Sequence, residues 1–170
     1  MITTANLHQY VDVTRFNEYC CGTYDLEYYG GKCGYVKDDK MLGRVTVFLS
    51  GKMISTGAKG IKESIEQLQR TVDILAKERF IEKIRLLPKV QNLVATADLG
   101  RKVDLNRAAS ILPKFSLEPK QFPAAIYKSP YGATCLIFRS GKVVIVGAKS
   151  EKQISDTEKS LPKLLNQFLI

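Results

Sequence analysis

Hydrophobic and polar positions alternate in this chain with two periods. Through Val47–Thr56 the period is two, which predicts a strand with Phe48, Ser50, Lys52, Ile54 and Thr56 on one face and Val47, Leu49, Met53 and Ser55 on the other. The same alternation returns ninety residues later. There Phe138, Ser140, Lys142, Val144 and Val146 share a face, and Ile137, Val143 and Ile145 share the opposite one, with Arg139 between them. After each strand the period becomes helical. Ile61, Ile65, Leu68, Val72 and Leu75 form one apolar stripe, and Ile154, Leu161, Leu164, Leu165 and Phe168 form another. Ser150 is positioned to cap the second helix, and Pro162 inside it predicts a kink or a restart.

The matching periods belong to a longer repeat. "SGKMISTGAK" (Ser50–Lys59) is rewritten as "SGKVVIVGAK" (Ser140–Lys149). Upstream, "ITTANLHQYVDV" aligns without gaps to "VATADLGRKVDL", setting Thr4 on Thr96, Leu7 on Leu99 and Asp12 on Asp104. Both aspartates precede short helical stretches and read as N-caps. "YDLEYYGG" then aligns with "LEPKQFPAA", and the larger length change falls in the hairpin "VKDDKMLGR". Each half reads as strand, short helix, a run of antiparallel strands, then long helix. That order predicts an α+β fold with an antiparallel sheet. The expected halves are residues 1–85 and 86–170, joined by "ERFIEKIRLLPKV" without a Gly/Ser-rich spacer.

Charge makes the halves unequal. The chain of 170 residues carries a net charge of +9, which favours a polyanionic partner. Residues 1–85 hold 13 Lys/Arg against 11 Asp/Glu, and residues 86–170 hold 13 against 6. With 45% apolar and 25% charged residues the composition suits a folded domain. No apolar run is long enough to span a membrane and no signal-peptide pattern opens the chain, so an intracellular protein is expected. Cys20, Cys21, Cys33 and Cys135 contain no C-x-x-C, and His8 is the single histidine. That argues against a zinc site and against Ser-His-Asp or Cys-His chemistry, and favours reduced thiols. P-loop, dinucleotide and zincin motifs are missing as well, so neither an enzyme nor a cofactor is expected.

Both faces of the repeated strand are apolar, yet the helices can cover only one. The other face could be a packed core, a dimer interface or a nucleic-acid groove. Its lysines and serine suit the last, in which sugars offer apolar surface and phosphates line the edges.

"QNLVATADLGRKVDL", "EPKQFPAAIYK", "LIFRSGKVVIVGAKSE" and "VFLSGKMISTGAK" resemble the repeat signatures of the TATA-box-binding protein core family. The resemblance spans essentially the whole chain, strongest over Val90–Glu151 and weaker over Met1–Leu42. It implies a saddle: a curved antiparallel sheet with helices on the convex side and the concave face on the DNA minor groove. Kinking by aromatic wedges is carried over from the family, itself the type case of that mechanism. The implied wedges are Phe122 and Phe138, with Phe48 and Tyr29 in the first half. Asn92 is implied to hydrogen-bond near the centre of the site. The implied floor is Val94, Thr96, Val144 and Val146, with Ile2, Thr4, Ile54 and Thr56. Lys128, Lys142, Lys149, Lys52 and Lys59 are the implied phosphate contacts. The implied partners are A·T-rich double-stranded DNA, a B-type general transcription factor, with Asp25, Glu27 and Glu118 as contacts, and RNA polymerase.

The chain departs from the family pattern in three places. Tyr29, followed by Gly30 and Gly31, stands where the second half has Phe122. The first-half counterpart of Asn92 would fall before Met1. The family's acidic docking loop reads "EPKQF" in the second half, with Lys120 and Gln121, and "DLEYY" in the first. These departures leave the polarity of binding open. They also admit a TATA-box-binding-protein-like paralogue that works mainly through protein contacts and binds DNA weakly or without TATA preference. The expected location is the nucleus in a eukaryote or the cytoplasm in an archaeon.

Overall fold

The repeated motif folds as a hairpin turn entering a strand. In the computed structural model, which describes residues 1–19 and 21–170, the chain turns back at Leu49–Gly51 and again at Arg139–Gly141. Cys20 lies outside the described residues. Each turn ends on a glycine with positive φ, +80° at Gly51 and +91° at Gly141, a conformation that the single strand expected from the alternation could not hold. Gly51 N donates to Phe48 O at 2.8 Å and Gly141 N to Phe138 O at 2.9 Å, closing the two turns alike.

Residues Met1–Gln91 form one unit. Its elements are β1 (Ile2–Asn6), a 3-10 helix (Val13–Glu18), β2 (Gly22–Tyr24), β3 (Cys33–Val36), β4 (Arg44–Phe48), β5 (Lys52–Thr56) and α1 (Ile61–Lys77). The strands are antiparallel in the order β2-β3-β4-β5-β1. Asp12 caps the 3-10 helix by accepting from Thr14 N at 3.3 Å.

β6 (Lys89–Asp98) leads into the second unit, Asn92–Ile170. There follow α2 (Leu105–Ile111), β7 (Phe115–Ser116), β8 (Ala124–Lys128), β9 (Thr134–Phe138), β10 (Lys142–Ala148), α3 (Glu151–Leu165) and a closing 3-10 turn (Asn166–Phe168). The antiparallel order is β6-β10-β9-β8-β7. Asp104 Oδ1 accepts from Arg107 N at 3.1 Å and Ser150 Oγ from Gln153 N at 3.3 Å, so both expected caps are made. The expected kink or restart at Pro162 is not an interruption, since α3 continues to Leu165. Pro162 sits in the last turn, and the carbonyl it leaves unpaired belongs to exposed Glu158, where water can satisfy it.

In β4, β5, β9 and β10 as far as Ile145 the odd-numbered positions turn inward. Val45, Val47 and Met53 join Phe16, Leu68, Val72 and Leu75 in the first core. Ile137, Val143 and Ile145 are buried in the second, as are Leu161 and Leu165 of α3. The helical stripe of α1 holds at Leu68, Val72 and Leu75, but its inner face extends to polar residues. Ile65 is 37% exposed, whereas Ser64, Gln67 and Thr71 are buried. The strand beneath is polar there, and Ser64 Oγ donates to Ser55 Oγ at 3.2 Å. Burial pushes the Cys33 thiol up and the Cys135 thiol up to about 11, so both stay protonated and unreactive at neutral pH.

Candidate nucleic-acid interface

In β4, β5, β9 and β10 as far as Ile145 the even-numbered positions face the other way, and a three-residue turn explains why the alternation survives it. The register Thr46↔Ile54 and Val47↔Met53 brings Phe48 and Lys52 together at the mouth of the first hairpin. Val143↔Ile137 and Val144↔Leu136 do the same for Phe138 and Lys142. Cross-strand partners share a face, so the expected faces hold although the single strand does not.

In the second unit Val144 pairs with Thr96 and Lys142 with Asp98. Thr96 and Val94 are exposed, with Val144 and Val146 half-buried beside them. Phe138, Thr96, Val144, Ser140 and Lys142 line a shallow depression of about 580 Å³. Phe122 reaches the end of this face from the loop before β8. Its N–H and that of Gln121 both donate to Glu118 O at 2.9 Å, fixing the turn that presents the ring. The Phe122 and Phe138 rings are 6.3 Å apart and tilted by 59°, and 38% of Phe122 is exposed.

Asn92 owes its orientation to a break in the ladder. The register of β10 against β6 shifts between Ile145 and Ala148, and Gly147 at φ +81° occupies the break. Gly147 N donates to Asn92 Oδ1 at 2.8 Å. With its acceptor used internally, the carboxamide of Asn92 offers Nδ2 as a donor.

The first unit repeats the arrangement with different chemistry. Ile2 pairs with Thr56 and Thr4 with Ile54, and all four are half-buried on the open side. Tyr29 and Phe48 lie 5.8 Å apart at 63°, the counterpart of the Phe122–Phe138 pair. Tyr29 has φ +49° and is followed by Gly30 at +64° and Gly31 at +73°. These three residues are left-handed, and Tyr29 is 68% exposed.

Lys52, Lys59, Lys128, Lys142 and Lys149 are all exposed, and none is in an ion pair among the described residues. Lys59 and Lys149 hold matching posts, their N–H groups donating at 2.7 Å to Glu63 Oε2 and Gln153 Oε1 in the first turns of α1 and α3. Asp25 and Glu27 share one exposed turn, in which Glu27 N donates to Asp25 Oδ1 at 2.9 Å, while Glu118 lies in the other unit. Sequence reasoning passed over two residues here. Leu26, between the two acids, is 75% exposed. Asp98 puts a carboxylate on the open face opposite Lys142, a position the aligned Asn6 could have flagged.

These geometries have close parallels. The family model described as "Transcription factor TFIID (or TATA-binding protein, TBP)" matches residues 87–168. The TATA-box-binding protein of Cenarchaeum symbiosum (strain A) is 39% identical over 166 residues, covering 98% of this chain and 91% of that protein. That of Methanosphaera stadtmanae is 36% identical over 151 residues, covering 86% and 80%. Among solved structures, Methanococcus jannaschii TBP superposes with a TM-score of 0.81 at 28% identity, covering 98% of this chain and 95% of that one. The α+β fold expected from the repeat is thus the fold of that protein.

Proposed function

The chain belongs to the TATA-box-binding protein family, and from that premise we propose that its open strand faces bind TATA-like, A·T-rich DNA through the minor groove and bend it. The family's members are DNA-binding transcription factors and not enzymes. One observation carries the reading: an aromatic pair, Phe122 with Phe138, stands at the end of a partly exposed apolar face fringed by exposed lysines. Small apolar and hydroxyl side chains such as Val94, Thr96, Val144 and Val146 suit a groove with few distinguishing groups. The rings enter between base pairs, and flexible TA steps lower the cost of opening them. The bent complex then presents a platform to a B-type general factor and RNA polymerase, with Asp25, Glu27 and Glu118 as contacts. The relatives are archaeal, which favours a cytoplasmic site of action.

The test compares a TATA duplex with a scrambled duplex by fluorescence anisotropy at several salt concentrations. Preference for TATA supports the reading; equal affinity favours the paralogue that works mainly through protein contacts. Within this series Lys142→Ala should weaken binding to both duplexes and lower the salt slope by about 0.9. An unchanged slope removes Lys142 from the phosphate contacts.

Asn92→Asp isolates one hydrogen bond. The carboxylate can still accept from Gly147 N–H, so the β10 bulge is kept. The Nδ2 donor is lost, and a negative charge faces the acceptor-only A·T edge. Affinity for the TATA duplex should fall about tenfold or more. Undiminished affinity would show that Asn92 gives no hydrogen bond to the groove.

A further inference from the structure

The open face of the first unit carries a cation where its repeat partner carries none. Cross-strand pairing runs Tyr35↔Thr46, Thr46↔Ile54 and Ile54↔Thr4, which puts Tyr35 in one row across the open face. The next row is Arg44↔Thr56 and Thr56↔Ile2. In the second unit the matching pairs are Ile126↔Leu136, Leu136↔Val144 and Thr134↔Val146. Tyr35 and Arg44 thus stand where that unit has Ile126 and Thr134. The two side chains meet, the guanidinium carbon of Arg44 lying 4.0 Å from the centre of the Tyr35 ring. Tyr28 packs against the same ring, with centroids 4.6 Å apart at 60°, and its carbonyl accepts from Cys33 Sγ at 3.8 Å. Arg44 is exposed, and its guanidinium makes no hydrogen bond or ion pair among the described residues. The strands β1 to β5 contain no acidic residue that could take it.

We propose that Arg44, held on Tyr35, reads the minor groove under the first unit by donating to N3 of adenine or O2 of thymine, as a specificity-determining residue that the second unit lacks. The proposal rests on the reading of the open faces as a DNA surface. A planar fork of five donors suits an edge that offers only acceptors. A G·C pair adds the guanine 2-amino group to that edge, and it meets the guanidinium donor to donor. The hydroxyl of Thr134 can donate or accept, so the second unit makes no such demand. Arg44 also differs in place from the proposed phosphate contacts. Its neighbours across the sheet, Thr56 and Ile2, belong to the proposed floor, whereas Lys52 stands at the hairpin mouth. Tyr35 is a positioning residue. An arginine that first becomes ordered on binding loses affinity, and the stack on the ring orders the guanidinium beforehand. The two halves of the site are then unequal. A duplex with G·C near one end of its A·T-rich element is bound in the direction that keeps that pair away from Arg44.

The full chain is titrated by fluorescence anisotropy against a TATA duplex and against a set in which each A·T pair in turn is replaced by G·C or by inosine·C, which lacks the 2-amino group. Arg44→Thr (the residue type at position 134) should weaken binding to the TATA duplex about tenfold. It should leave affinity unchanged for the duplex with G·C at one position toward one end of the element, because that pair has already cost wild type the contact. Inosine·C at the same position should behave like A·T. Tyr35→Leu should reproduce part of this position-specific loss, and Tyr35→Phe, which keeps the ring, should bind as wild type does. The proposal is overturned if Arg44→Thr binds the TATA duplex as tightly as wild type. It is equally overturned if Arg44→Thr loses the same factor on every duplex, which would make Arg44 a phosphate contact, or if inosine·C costs as much as G·C at the sensitive position. Equal binding of TATA and scrambled duplexes by wild type would remove the reading of the open face and this proposal with it, so the wild-type titration alone tells the two failures apart.

Discussion

Phe138→Ala should cost about a hundredfold in affinity for a TATA duplex and flatten the bend. A Phe ring inserted between base pairs takes roughly 100–150 Å² of apolar surface out of water, worth about 3 kcal/mol at 25 cal/mol per Å². That converts to about two orders of magnitude in affinity. Alanine cannot hold an opened base step, and stacking then recloses it. Phe138 ends β9 beside the turn, half-buried on the open side, so its removal should spare the core formed by Ile137, Val143 and Ile145. Phe122→Ala should act in the same direction. With the rings 6.3 Å apart, the double variant should lose less than the sum of the two singles. Bend angle is read by fluorescence energy transfer between dyes on the duplex ends, with circular dichroism as the check on folding. A normal bend in either single variant would refute the wedge assignment.

Gly141→Ala should strongly destabilise the fold. Gly141 has φ +91°, and a Cβ there would stand 2.1 Å from the carbonyl oxygen of Arg101. The oxygen cannot simply withdraw, because this junction is tied by Leu99 N donating to Gly141 O at 3.0 Å and Val103 N to Arg139 O at 3.0 Å. Left-handed strain of about 1–2 kcal/mol adds to overpacking of about 1–3 kcal/mol. Together these should lower the melting temperature by roughly 10 °C in a chain of this size. Gly100→Ala is the control. Its φ is +70° but no atom lies within 4 Å of the added Cβ, so it carries the strain without the overlap. Equal melting temperatures for the two variants would disprove the overlap. Gly51, whose Cβ would meet Gln9 O at 2.2 Å, occupies the matching post in the first unit.

What the sequence revealed depended on whether a feature was periodic or came from contact between distant segments. The repeat and the faces were legible because a three-residue turn preserves a period of two. Phe48 and Lys52 keep the parity of one strand while sitting on two. The turn itself was concealed by that same parity, and Ser50-Gly51 was its only mark. The α1 stripe was right at Leu68, Val72 and Leu75 and failed at Ile65, because Ser55 of β5 makes Ser64 a better inward residue there. On the open faces, Phe48, Lys52, Phe138 and Lys142 follow from alternation, whereas Phe122, Lys59, Lys128 and Lys149 rest on the family resemblance. Asn92 was flagged by resemblance, but what orients it is the N–H of a residue 55 positions away, released by a bulge.

The bulge at Gly147 also matters for entropy. A side chain that first becomes ordered on binding takes about 0.5–1.5 kcal/mol from affinity. The carboxamide of Asn92 is already held by Gly147 N–H at 2.8 Å, so its rotational freedom is surrendered when the protein folds. Lys142 and Lys149, which make no ion pairs among the described residues, still have that freedom to lose. A ligand on this face would therefore meet one rigid donor among mobile charges. The rigid group can discriminate between ligands at little cost in affinity, and the mobile ones can follow a backbone whose path varies from one site to the next.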